Sequence, residues 1–175
     1  MFLKEHIQKI SLNKIKLKRT PKYLSIQEVT SVGLLFNFEE DNILETIRRA
    51  IAILDRRSIK VMALGVYIDK NSLPTENLDS RIKILDKKDF KYANVPDKAS
   101  IAHFLVEKFD LYIDFTTKDF FPNIFISNAA QATFKIGRQN YKGDPFDLVL
   151  DNFKNGTSRS YLNSLIHYLS SIKTN

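Results

Sequence analysis

Apolar residues recur along this chain at two spacings, and the two take turns. Val32-Gly33-Leu34-Leu35-Phe36 is a short unbroken apolar run, the pattern of a strand buried on both faces. Ile43, Leu44, Ile47, Ala50, Ile51 and Leu54 then fall on one side of a 3.6-residue period and predict an amphipathic helix over 42–56. Glu40, Asp41 and Glu45 near its start and Arg48, Arg49, Arg56 and Arg57 towards its end match the helix dipole. Asn42 with Glu45 three residues on reads as a capping arrangement. Ile59 to Ile68 predicts a second buried strand, followed by a polar loop through Pro74. Arg81 to Leu85 alternates as an exposed or edge strand does. A helix is expected over about 96–108, with Pro96 in its first turn and Asp97 favourably near its start. Further strands are expected at 111–115, 132–136 and 147–150, and helices at 123–131 and 158–172.

Repeated strand–helix alternation implies βαβ units. The fold class is therefore α/β: a single doubly wound, mostly parallel sheet, Rossmann-like or flavodoxin-like, with helices on both faces. Internal repeats and low-complexity tracts are absent, and 175 residues suit one domain. Residues 30–175 read as that domain and residues 1–29 as a basic N-terminal arm.

Charge divides the chain in the same place. Residues 1–24 carry Lys4, Lys9, Lys14, Lys16, Lys18, Arg19 and Lys22 against one acid, Glu5, a net of +6 out of the chain's +7. The remainder is almost neutral. Within the arm, Leu3, Ile7 and Ile10 recur at helical spacing, while Lys14 to Arg19 alternates charged with apolar residues as an extended segment would. In that conformation Lys14, Lys16 and Lys18 project to one side about 6–7 Å apart, close to the spacing of phosphates along a nucleic-acid strand, with Ile15 and Leu17 facing the body. A cationic arm of this kind attracts polyanions through counterion release. Two readings lead: a short helix and strand packed on the body, its lysines merely solvated, or an arm whose expected partner is RNA or a ribonucleoprotein such as the ribosome, ahead of a specific DNA site. A membrane surface ranks lower, because the apolar face of the first helix is only about two turns long.

Composition removes many chemistries. Cysteine is absent, which excludes disulfides, thiolate metal centres and a thiol nucleophile. The three histidines, His6, His103 and His167, are scattered, and no metal site or other cofactor is expected. Only 5 glycines are present, and no G-x-G-x-x-G, G-x-x-x-x-G-K-[ST], H-E-x-x-H or G-x-S-x-G occurs. The longest apolar run, Val61 to Ile68, is far short of the ~18 residues a spanning helix needs. The N-terminus lacks a signal-peptide core, so a cytoplasmic location is expected.

Ligands of open parallel sheets bind beyond the carboxyl ends of the strands. That rule selects Asn37 and Glu39, Asp69, Asp86, Asp114 with Thr116, Thr117 and Lys118, and Arg138. Asp114 stands out as a carboxylate ending an apolar strand, although Asp and Thr also serve as ordinary caps. From this set Asn37, Asp114, Thr116, Thr117 and Arg138 are the candidate ligand-binding residues. No catalytic residue is assigned.

Two resemblances bear on this. Phe109 to Phe115, Ala129-Ala130 and Phe134 to Arg138 resemble a strand–helix–strand in the amino-terminal half of heptosyltransferase-type glycosyltransferases, over about 30 residues. That family needs a second Rossmann-like domain for its nucleotide sugar, for which this chain has no room. Across most of the body, Val32 to Asn37, Phe109 to Asp114 and Lys135 to Gly137 are similar to a family of small uncharacterised bacterial proteins, which implies an α/β fold and no known activity. The reading is a non-catalytic binding protein whose arm contacts RNA. The alternative is a small-ligand-binding or enzymatic domain, related to a glycosyltransferase half, with its site near Asp114.

Overall fold

The computed structural model describes residues 2–68, 78–150 and 156–171; Asp69, the loop through Pro74 and Ile172 lie outside them. In chain order the elements are α1 (Phe2–Asn13), β1 (Ser31–Asn37), α2 (Ile43–Asp55), β2 (Lys60–Val66), β3 (Ile82–Leu85), β4 (Phe90–Lys91), β5 (Val95–Pro96), α3 (Lys98–Val106), β6 (Lys108–Asp114), α4 (Phe121–Ala129), β7 (Gln131–Gly137), β8 (Leu148–Val149) and α5 (Ser158–Ser171). Six strands form one sheet in the order β3-β2-β1-β6-β7-β8, and every neighbouring pair is parallel. Numbered within that sheet the order is 3-2-1-4-5-6, the doubly wound arrangement whose direction reverses between its first and fourth strands.

Each face of the sheet has its own core. On one side Ile47, Ile51 and Leu54 of α2 meet Leu162, Leu165 and Leu169 of α5 over Leu34, Phe36, Leu111 and Ile113. On the other, Ile101 and Phe104 of α3 and Phe125 and Ile126 of α4 cover Leu35, Leu64 and Tyr112. Alternate residues of β1, and of β6 from Leu111 onward, therefore feed opposite cores, as a strand buried on both faces requires. Gly33 belongs to the close-packed part: a Cβ there would lie 2.7 Å from the ring of Phe109.

Three local expectations are corrected. Asn42 does not cap α2 with its side chain; it takes a left-handed backbone conformation at φ 55° instead, and the preceding turn is closed by Ile43 N–H to Glu40 O. Asn is among the few residues that adopt this conformation readily. β6 starts at Lys108, ahead of the apolar run that marked it. Pro96, expected in the first turn of α3, instead ends the small antiparallel β4–β5 pair, which otherwise lies where no element is expected and is opened by a capping box in which Asp86 accepts from Lys88 N and Asp89 accepts from Asp86 N. Asp97 caps α3 by accepting from Ala99 N at 3.1 Å.

α2 and α5 are also joined by a buried polar contact, Thr46 Oγ1 to Ser158 Oγ at 2.9 Å. Thr46→Val would keep the shape and leave the Ser158 hydroxyl, only 4% exposed, without this partner. A loss of about 1–2 kcal/mol is expected in urea unfolding. An unchanged midpoint would show that the contact contributes nothing.

Candidate functional site

The N-terminal basic segment is fastened to the body. Gln8 in α1 donates to Ala93 O at 2.8 Å, and Leu12 and Ile15 pack on the α3/α4 core. Residues 15–25 run without a helix or strand of their own, held by Lys22 N–H to Thr133 O at 3.2 Å. Arg19 grips Asp147 with both terminal nitrogens, at 2.8 and 2.7 Å, and also donates to Ala132 O and Pro145 O. The ring of Tyr23 meets Phe134 and Tyr168 edge-on.

Exposure alternates along this stretch. Lys14, Lys16 and Lys18 are exposed, whereas Ile15, Leu17 and Arg19 are half-buried. Lys4, Lys9 and Lys22 are exposed as well. None of these six lysines takes part in an ion pair among the described residues. Six of the seven cations expected to contact nucleic acid thus face solvent, and the seventh, Arg19, is occupied by Asp147.

The strand-end candidates separate into two groups. Leu35 lies opposite Asp114 and Asp114 opposite Gly137, so the carboxyl ends of β1, β6 and β7 come together. Asp114 and Thr116 turn inward beneath α4. Asp114, 1% exposed, accepts from Thr116 N at 2.8 Å and from Ser127 Oγ at 2.7 Å. Thr116 Oγ1 accepts from Asn123 Nδ2, and Ser127 Oγ also meets the Tyr112 hydroxyl at 2.8 Å. Burial pushes the Asp114 carboxyl up to about 6, although the Thr116 and Ser127 hydrogen bonds oppose the shift. Asn37, also buried, accepts from Glu39 N and fixes the turn after β1.

Thr117 and Arg138 instead line an open cleft of about 540 Å³ at the carboxyl ends of the strands, between the starts of α2 and α5. Glu40 crosses its floor: it accepts from Thr117 N and Oγ1 and lies 3.5 Å from Arg138. Arg138 is 8% exposed, donates to the carbonyls of Phe115 and Gly156, and sits over the Tyr161 ring. His103 and His167 are exposed on the outer sides of α3 and α5.

Lys135 escaped the reading of the residues. It is 1% exposed, its ammonium position donates to Ser127 O at 2.8 Å, and the Tyr112 ring lies 5.7 Å away. Burial, helped by the charge of Arg19 and opposed by that of Asp147, pushes its pKa down to about 7. Its mid-strand position alone is no signal, since Lys83 holds a like position in β3 and is exposed; Lys135 is buried against α4, whose Ser127 carbonyl accepts from it.

Among the described residues no helix is long and apolar enough to cross a membrane, and no group of His, Asp and Glu side chains could hold a metal ion. No curated protein and no solved structure matches the chain. The likeness to glycosyltransferases thus gains no support, whereas the likeness to a family without known activity does: a family model matches residues 1–172, and the chain belongs to that family, DUF6913, a family of unknown function.

Proposed function

We propose that this protein is a non-catalytic RNA-binding protein that contacts the phosphate backbone, alone or within a ribonucleoprotein such as the ribosome, through its N-terminal lysines. The observation that carries this is the alternating exposure of residues 14–19. Ile15 and Arg19 fasten the segment to the body, Leu17 between them is half-buried, and Lys14, Lys16 and Lys18 are left on its outer side without ion pairs among the described residues. Three cations on an anchored backbone can meet successive phosphates with less ordering cost than three on a free tail. Lys4 and Lys9 on α1 and Lys22 extend the positive surface. Contacts to phosphate position a protein without reading sequence.

The expected result is therefore binding to single-stranded RNAs of different sequence with similar affinity, weakening steeply as salt rises. Changing Lys14, Lys16 and Lys18 together to Glu should remove most of that affinity. Each lost contact should flatten the log–log salt slope by roughly 0.7–0.9. Arg19 is kept, so the segment stays in place and the loss reads charge rather than unfolding. Unchanged affinity in the triple variant, with a normal melting temperature, would defeat the proposal, as would failure of the full chain to bind RNA at low salt.

A further inference from the structure

The cleft between α2 and α5 offers something the lysine surface does not. It opens where the sheet reverses direction, between β1 and β6, the place in doubly wound sheets where small ligands enter. Its volume, about 540 Å³, is that of a small-molecule site. None of the seven N-terminal cations lines it.

Its lining carries charges of both signs. The β1–α2 connection and the first turn of α2 supply Asp41 and Glu45, and α2 adds one cation, Arg49, a turn further on; all three are exposed. Lys118, from the β6–α4 connection, and Arg159, at the start of α5, supply exposed cations on the other side. Among the described residues no ion pair joins these five. At the floor the opposite charges do meet, in the Glu40–Arg138 pair, which is nearly buried and held by Thr117. The mouth of the cleft thus presents carboxylates and cations that line one cavity without neutralising each other.

That arrangement selects among ligands. A simple anion attracted by Lys118 and Arg159 must also approach Asp41 and Glu45, and a simple cation meets the reverse conflict. The same conflict applies to phosphate groups: the first strand–helix turn, Asn37 to Asn42, holds three acids and no glycine where phosphate-binding folds place a glycine-rich loop. A molecule carrying both an ammonium and a carboxylate satisfies both walls at once. We infer that the cleft binds a small zwitterion of the amino-acid class, its ammonium towards Asp41 and Glu45 and its carboxylate towards Lys118 and Arg159.

The test is thermal unfolding and titration calorimetry of the full chain against the free amino acids. Each is run beside its decarboxylated amine, its deaminated acid, and inorganic phosphate. At least one amino acid should raise the melting temperature saturably at millimolar concentration, while its singly charged analogues and phosphate do not. Glu45→Gln and Arg159→Gln, both surface changes outside the two cores, should each weaken that binding by about tenfold or more without lowering the melting temperature of the free protein. The inference fails if no amino acid shifts the transition. It fails equally if a singly charged analogue or phosphate binds as tightly, or if both variants bind like the parent.

Discussion

Between about pH 7 and pH 10 the protein should become more stable, by up to about 5 kcal/mol, and Lys135→Met should abolish that rise. The folded-state pKa of Lys135, about 7, lies below the ordinary lysine value of 10.5. Across that interval the folded chain has given up a proton that the unfolded chain keeps, so unfolding takes up a proton and is opposed as pH increases. Below pH 7 the buried ammonium has one hydrogen-bond acceptor and a ring face for company, and its desolvation is poorly offset. Methionine fills similar space without the charge. The variant should accordingly gain stability at pH 6 and lose the alkaline dependence.

Asp114 works in the opposite direction at lower pH. Its pKa is raised from 3.8 to about 6, so between those values the folded state holds a proton that the unfolded state has released. Stability from this group is present below about pH 4 and lost as pH rises through 6, by about 3 kcal/mol. Asp79 and Asp110, whose pKa values are lowered by hydrogen bonds, contribute in the usual sense on the same limb. The informative quantity is therefore the difference between the parent and Asp114→Asn in urea midpoint against pH. Flat difference profiles for both Asp114→Asn and Lys135→Met would show that neither group titrates as its burial demands.

Removing Asp147 should cost about 3 kcal/mol, because it strands a guanidinium that is largely buried. Asp147 accepts both nitrogens of Arg19 and the amide of Lys135 at 2.8 Å, tying residues 14–25, β7 and the approach to β8 together. In Asp147→Ala the Arg19 fork retains only the carbonyls of Ala132 and Pro145, at 3.3 and 3.4 Å. A double-mutant cycle with Arg19→Met should return a coupling of about 2 kcal/mol. The Lys22 amide, which bonds Thr133 O, should exchange with solvent faster in either single variant. Additive effects and unchanged exchange would mean that the segment is held by its apolar contacts alone.

The elements with the most periodic patterns were the most legible. α2 announced itself through Ile47, Ile51 and Leu54, and the apolar run of β1 placed it in the middle of the sheet. Residues 14–19 also followed their alternation in exposure, with Ile15 packed on the α3/α4 core and Leu17 half-buried. What stayed hidden depended on partners far along the chain. Arg19 looked like one more phosphate contact, because nothing local reveals a carboxylate 128 residues away. Asp114 looked like a ligand group, because its turn beneath α4 is decided by Ser127 and Thr116. The rule about strand ends named Glu39, Lys118 and Arg138, which line the cleft, but the contribution of Arg159 needed α5, whose first turn approaches α2 only in the folded sheet.

The packing of α2 against α5 also sets a timetable. About 100 residues separate the two helices, and at ribosomal speeds of roughly 5–20 residues per second the second emerges some 5–20 s after the first. For that interval Ile47, Ile51 and Leu54 lack their final cover, and for about its first half β1 also awaits β6, its neighbour in the sheet. The nascent chain thus carries an adhesive apolar stripe through most of its own synthesis, a surface for chaperone capture or for premature association between neighbouring chains on one messenger.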